Sequence, residues 1–122
     1  MKYWEGEQME DKLIEILETF GYPVIRQGAM LEDEEYPDDF FTFWNNDSYN
    51  LNHYDNKEKT TAYDFDVNFY SCSPSRTYKK ITDAIKLLKS NGFIINGRGH
   101  DVASDEASHT GRGINVIGIM EV

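Results

Sequence analysis

The stretch YDFDVNFY, Tyr63 to Tyr70, sets apolar Tyr63, Phe65, Val67 and Phe69 against polar Asp64, Asp66 and Asn68. Successive side chains of a strand point to opposite faces, so this period of two predicts a half-buried antiparallel strand. One face meets the core and the other meets water or a partner. The element before it, FFTFW from Phe40 to Trp44, is a strand by composition with rings on both faces, which predicts burial on one side and contact on the other.

Helical periodicity flanks this pair. Met9, Leu13, Ile16, Leu17 and Phe20 form one apolar stripe, and Gly21 with Pro23 stops it. On the other side, Ser73 before Pro74 is a good helix start, because the hydroxyl accepts a free amide hydrogen and proline sits where no amide bond is needed. Tyr78, Ile81, Ala84, Ile85 and Leu88 make the expected buried stripe, and Gly92 ends the helix with Lys86 and Lys89 near its negative end.

Three apolar runs read as further strands: Pro23 to Gly28 (PVIRQG), Phe93 to Asn96 (FIIN) and Ile114 to Met120 (INVIGIM). Gly97 to Gly113 reads as a long polar loop between the last two, and Asn45 to Lys59 as a polar connection with Asp55-Asn56 as turn chemistry. The order α-β-β-β-α-β-β predicts an α+β two-layer domain with a mainly antiparallel sheet and two helices. Only the connection through the second helix is expected to be a parallel crossover. At 122 residues the chain fits a single domain, residues 1–122. The predicted core is Leu13, Ile16, Phe20, Phe65, Val67, Phe69, Ile81, Ile85, Leu88 and Val116.

The chain carries 22 acidic and 12 basic residues, a net charge of −10. Such a charge repels a polyphosphate backbone and an anionic membrane alike, so generic nucleic-acid or membrane binding is disfavoured. One cysteine, Cys72, excludes an intramolecular disulfide and points to a reducing cytoplasm. The stretch MKYWEGEQMEDK has no apolar core of signal-peptide length, and the expectation is a chain not exported by a cleavable signal.

The charge is segregated. Residues 1–70 hold 17 acids and 5 bases, and residues 71–122 hold 5 acids and 7 bases. Six carboxylates, Glu32, Asp33, Glu34, Glu35, Asp38 and Asp39, crowd eight positions around Pro37, which reads as an exposed loop. The second helix is a basic island with Arg76, Lys79, Lys80, Lys86 and Lys89 against Asp83. Loop and helix of neighbouring copies are complementary, a head-to-tail contact of the kind that closes rings. The expected subunit interface is therefore Glu32, Asp33, Glu34, Glu35, Asp38 and Asp39 against Arg76, Lys79, Lys80 and Lys86, with Phe41 and Phe43 supplying rings.

Candidate chemistry is thin. His100-Asp101-x3-Asp105-Glu106-x2-His109 offers metal-ligating side chains, but its spacing matches no helical His pair or calcium loop, and a polar loop with local turn bonds explains it better. No metal, cofactor or catalytic residue is expected. Gly97-x-Gly99 and Gly111-x-Gly113 are not followed by a helix, so turns and bulges are the better reading than a phosphate cradle. Asp64 and Asp66 read as a solvated strand face. Cys72 has no motif tying it to His53, His100 or His109, so a nucleophilic role needs proximity in the fold, and a structural thiol at a strand end is the simpler reading.

Three stretches, Phe20 to Asn46, Tyr63 to Ser71 and Gly92 to Ile119, carry a family likeness, the run DVASDEASHTGRGINV being its most specific part. They resemble small proteins from the tail-assembly regions of phages and prophages of Gram-positive bacteria, of the tail-completion or tail-terminator group. That resemblance implies an α+β fold and a non-enzymatic subunit forming a ring, usually hexameric. The ring caps the tail tube where it joins the head, so the partners are copies of itself, tube protein and connector proteins. The implied location is the virion, assembled in the host cytoplasm. The rival readings are a small metal-dependent hydrolase built on His100, Asp101, Asp105 and His109, and an acidic inhibitor that mimics nucleic acid.

Overall fold

The computed structural model describes residues 5–27, 35–50 and 60–121. The described residues form two helices, α1 (Glu5–Glu18) and α2 (Pro74–Ser90), and five strands. The strands are β1 (Val24–Arg26), β2 (Asp39–Asn50), β3 (Thr60–Ser71), β4 (Ile94–Val102) and β5 (Thr110–Glu121). They form one sheet in the order β1-β2-β3-β5-β4, and the fold is α+β with the predicted element order.

The period-two strand sits at the centre. β3 pairs antiparallel with β2 on one side and β5 on the other, so Phe65 lies between Asn45 and Val116, and Val67 between Phe43 and Ile114. Since cross-strand partners share a face, the register collects Phe41, Phe43, Phe65, Val67, Phe69, Ile114, Val116 and Ile95 on one side. All eight are buried, together with Met9, Leu13, Ile16 and Leu17 of α1 and Ile81, Ala84 and Leu88 of α2. Both helices thus lie on this one face. Phe20 and Ile85 are only partly buried at its rim, and Tyr78, expected inside, is 61% exposed, because the buried α2 stripe is Thr77, Ile81, Ala84 and Leu88 and Tyr78 lies one position off it, about 100° around the helix.

Helix ends follow the local chemistry. The Ser73 hydroxyl accepts from the Arg76 amide with Pro74 in the first turn. At the other end the Gly92 amide donates to Lys89 and the Phe93 amide to Leu88, with Gly92 at φ +90°. This is the paired 6→1 and 5→2 pattern that a left-handed glycine allows, and it brings buried Phe93 next to buried Leu88.

Three expectations are corrected. Residues Gly97 to Gly113 are not one loop: β4 runs to Val102 and β5 starts at Thr110, so only the segment between them is irregular. Polar Arg98, His100 and Asp101 hid the strand because β4 is an edge strand, six of whose nine positions are exposed. Asn96 pairs with Asn115 and His100 with Gly113, so β4 carries two extra residues there, with Gly97 and Gly99 at positive φ. Second, β1 pairs parallel with β2, Val24 beside Phe41, so the α2 crossover is not the sole source of parallel strands. Third, β2 continues past Trp44 to Asn50, kept in the sheet by β3 despite its polar sequence, with a one-residue bulge between Asn45 and Asp47. The Asp55-Asn56 turn, the Gly28 end of the first strand and His53 lie outside the described residues.

Candidate functional site

The face of the sheet opposite the helices carries the residues left over by the core. Row by row it presents Phe40, Tyr70, Gly111 and Val102, then Thr42, Asn68, Gly113 and His100, then Trp44, Asp66, Asn115 and Asn96. Asp47, Asp64, Ile117 and Ile94 follow, and Tyr49, Ala62 and Ile119 complete it. Its two ends differ.

The first end is closed by chain segments at 35–38 and 103–109. Phe40 stacks on Tyr70 at 5.2 Å between ring centroids, and Tyr36 and His109 meet Phe40 edge-on at 5.7 and 6.0 Å. Glycine at 111 and 113 makes room, since a Cβ there would fall 2.7 Å from the Tyr70 ring and 2.2 Å from Asn68 Oδ1. The Tyr36 hydroxyl reaches Asp105 at 3.5 Å, and its pKa is raised by burial and by the charges of Asp105 and Glu106. Burial likewise raises Tyr70.

Here the fold supplies a proximity the spacing did not reveal. Cys72, exposed at the end of β3, lies 3.7 Å from His109 Nε2 and 4.0 Å from Asp38 Oδ1. The same Nε2 is 2.8 Å from the Pro37 carbonyl oxygen, and Ser108 Oγ is 2.9 Å from Nδ1. A carbonyl can only accept, so Nε2 carries a proton. The imidazole therefore presents an N–H to the sulfur and is not placed to take a proton from it, as a thiol-activating base must. His109 works here as a clip joining the 35–38 segment to the start of β5.

The proposed metal ligands do not converge. His100 sits on the open face beside Gly113, Asp101 pairs with Arg112 at 3.1 Å on the helix side, and Asp105 faces Tyr36. Among the described residues no group of three or more His, Cys, Asp and Glu side chains is disposed to hold a metal ion. No helix among them is long and apolar enough to cross a membrane.

The interface residues fare unevenly. Glu32, Asp33 and Glu34 lie outside the described residues. Glu35 and Asp38 are exposed. Asp39 meets Arg76 of its own chain, Nη1 lying 3.0 Å from both carboxylate oxygens, and also accepts from the buried Ser71 hydroxyl. Burial pushes the Asp39 carboxyl up, but the Ser71 and Arg76 bonds and the Arg76 charge outweigh it and hold it below the ordinary value. This corrects the expected contact: one acid and one base assigned to neighbouring copies are partners within one chain. Lys79 and Lys80 approach Asp83 at 3.9 and 4.0 Å, while Lys86 enters no ion pair among the described residues.

Phe41 and Phe43 are corrected too. They were expected to offer rings to a partner, but both are buried under the helices, and Phe41 packs on Phe69 at 4.7 Å. Alternation alone puts odd and even positions of FFTFW on opposite faces, and pairing with β3 decides which face is inner. The exposed ring is Trp44, 49% accessible, on the open face.

The second end of that face is uncovered among the described residues. Trp44, Tyr49 (41%), Ile94 (47%) and Ile119 (42%) stand on it, with Ile117 beside Ile94. Between them runs a polar seam. Asn115 Nδ2 donates to Asp64 and, at 3.4 Å, to Asp66, while Asn96 donates to Asn115 and Asn46 to Asp64. No lysine or arginine occupies a register position on this face among the described strand residues.

No protein-family model matches the chain, and no curated protein matches its sequence.

Proposed function

We propose that the protein is a structural subunit of a phage or prophage tail, of the completion or terminator kind. In this reading copies of the chain associate as a ring at the end of the tail tube and meet the head connector, in particles assembled in the host cytoplasm. The observation that carries it is the uncovered end of the sheet. Four large apolar side chains, Trp44, Tyr49, Ile94 and Ile119, are exposed on one face of one sheet, where rings and aliphatics serve as anchors for a docking partner. The sequence resemblance supplies the setting, and the apolar face supplies the means of association.

The test is loss of the protein from a phage that encodes it. The reading expects full heads and tails that fail to join, or tails of uncontrolled length, with particles restored by the wild-type chain. Normal infectious particles in its absence would refute it.

A further inference from the structure

We infer that the open face of one copy receives the outer side of α2 of the next, a head-to-tail contact that rests on the subunit reading above and names its surfaces. The two surfaces lie on opposite sides of the two-layer domain, because α2 covers the face whose reverse is open. A contact between them is heterologous, and its repetition builds a ring or a stack rather than a closed pair.

Charge selects this occupant over the alternatives. The open face carries Asp47, Asp64 and Asp66 and no cation at a register position. Packing two open faces against each other sets like charges together, which is unfavourable. The outer side of α2 is the complement: Lys79, Lys86 and Lys89 are exposed along it, and Tyr78 stands 61% accessible among them, its ring under the Arg112 guanidinium at 4.9 Å. Asp83 is the one acid of that helix and already faces Lys79 and Lys80.

The chemistry of the two surfaces interlocks. Lysine stems cover apolar surface while their ammonium groups reach outward, so Lys79, Lys86 and Lys89 can lie over Ile94, Ile119 and the Trp44 ring with their charges at the Asp47 and Asp66 carboxylates. Asp39 already holds Arg76 of its own chain, so that acid and that base are not free for a neighbouring copy. With strands about 4.8 Å apart, the uncovered rows have a footprint on the order of 400 Å². Stable interfaces bury about 800 Å² per partner, so copies associate weakly in dilute solution and firmly where a scaffold concentrates them.

The experiment is a charge swap read by light scattering of the purified full chain at rising concentration and by ring imaging on tail tubes. Asp47→Lys with Asp66→Lys makes the open face basic, and Lys79→Glu with Lys86→Glu makes α2 acidic. Each double variant, with circular dichroism and unfolding midpoint like wild type, is expected to lose association at least tenfold. An equimolar mixture of the two is expected to regain it, because each then meets an opposite charge. Variants that associate like wild type, or a mixture that stays apart, overturn the inferred contact while leaving the subunit reading intact. If a variant misfolds, the single changes Asp66→Lys and Lys86→Glu serve instead. A wild-type chain that is monomeric at every concentration and forms no ring on tubes overturns both.

Discussion

The two faces of the sheet are made from the same three long strands and differ in almost every other respect. Under the helices, Phe41, Phe43, Phe65, Val67 and Phe69 interdigitate with α1 and α2 and are sealed from water. On the reverse stand Thr42, Trp44, Asp64, Asp66 and Asn68, where Asp64 and Asp66 accept from the Asn115 amide and Asp64 also from Asn46, and Trp44 is half exposed. The contrast separates two tasks: the covered face makes the chain fold, and the open face is free to meet something else. Substitutions on the two faces should accordingly have different signatures.

The sharpest test of the covered face is its centre. Phe65→Ala is expected to lower unfolding free energy by about 3 to 5 kcal/mol, since a fully buried ring leaves a cavity the rigid sheet cannot close. Urea denaturation measures it, and an unchanged midpoint would mean that the faces are reversed. At the edge of the covered face, Asp39→Ala should cost about 1.5 to 3 kcal/mol, because it strips a charged partner from Arg76 and leaves the hydrogen of the buried Ser71 hydroxyl without its acceptor, the oxygen keeping only the Ser73 amide. This loss depends on pH. The Asp39 carboxyl titrates below its ordinary value of 3.8 in the folded chain, so folding favours its ionised form. Its contribution is whole above that ordinary value and disappears as pH falls through the folded value. The wild-type and Asp39→Ala midpoints should therefore converge in acid, and a gap that stays constant from neutral pH down to about pH 2 would contradict the linkage.

At the closed end of the reverse face, His109→Ala is expected to cost about 1 kcal/mol, from its bond to the Pro37 carbonyl and its packing on Phe40. Calorimetry at neutral pH decides it, and a loss of several kcal/mol would make that clip part of the core. The smallest effect belongs to the open end. Trp44→Ala, Ile94→Ala and Ile119→Ala should each change stability by no more than about 0.5 kcal/mol, as exposed substitutions usually do. Larger losses in chemical denaturation would show that the chain itself covers this face.

The same division governs what could be read in the sequence. Elements of the covered face were legible, because period two in Tyr63 to Tyr70 and the 3.6-residue stripe of Leu13, Ile16 and Leu17 are consequences of one-sided burial. Helix α2 was legible from Ser73, Pro74 and Gly92, whose caps form as the local chemistry requires. The second half of β2 and most of β4 were not, since edge and open-face residues answer to hydrogen bonding with neighbours far along the chain. Which side of FFTFW faces inward also depends on a partner strand, and this is why Phe41 and Phe43 exchanged roles with Trp44. The His109 clip joins residues 37, 72 and 109, and no local pattern announces a contact of that range.

One measurement bears most directly on the division between a face for folding and a face for docking. The triple variant Trp44→Ala/Ile94→Ala/Ile119→Ala is compared with wild type by light scattering at a concentration where wild type associates, with the unfolding free energy of both determined in parallel. The account predicts that the variant scatters as a monomer while each substitution costs no more than about 0.5 kcal/mol of stability. A variant that associates as wild type does, or one that loses several kcal/mol of stability, would contradict it.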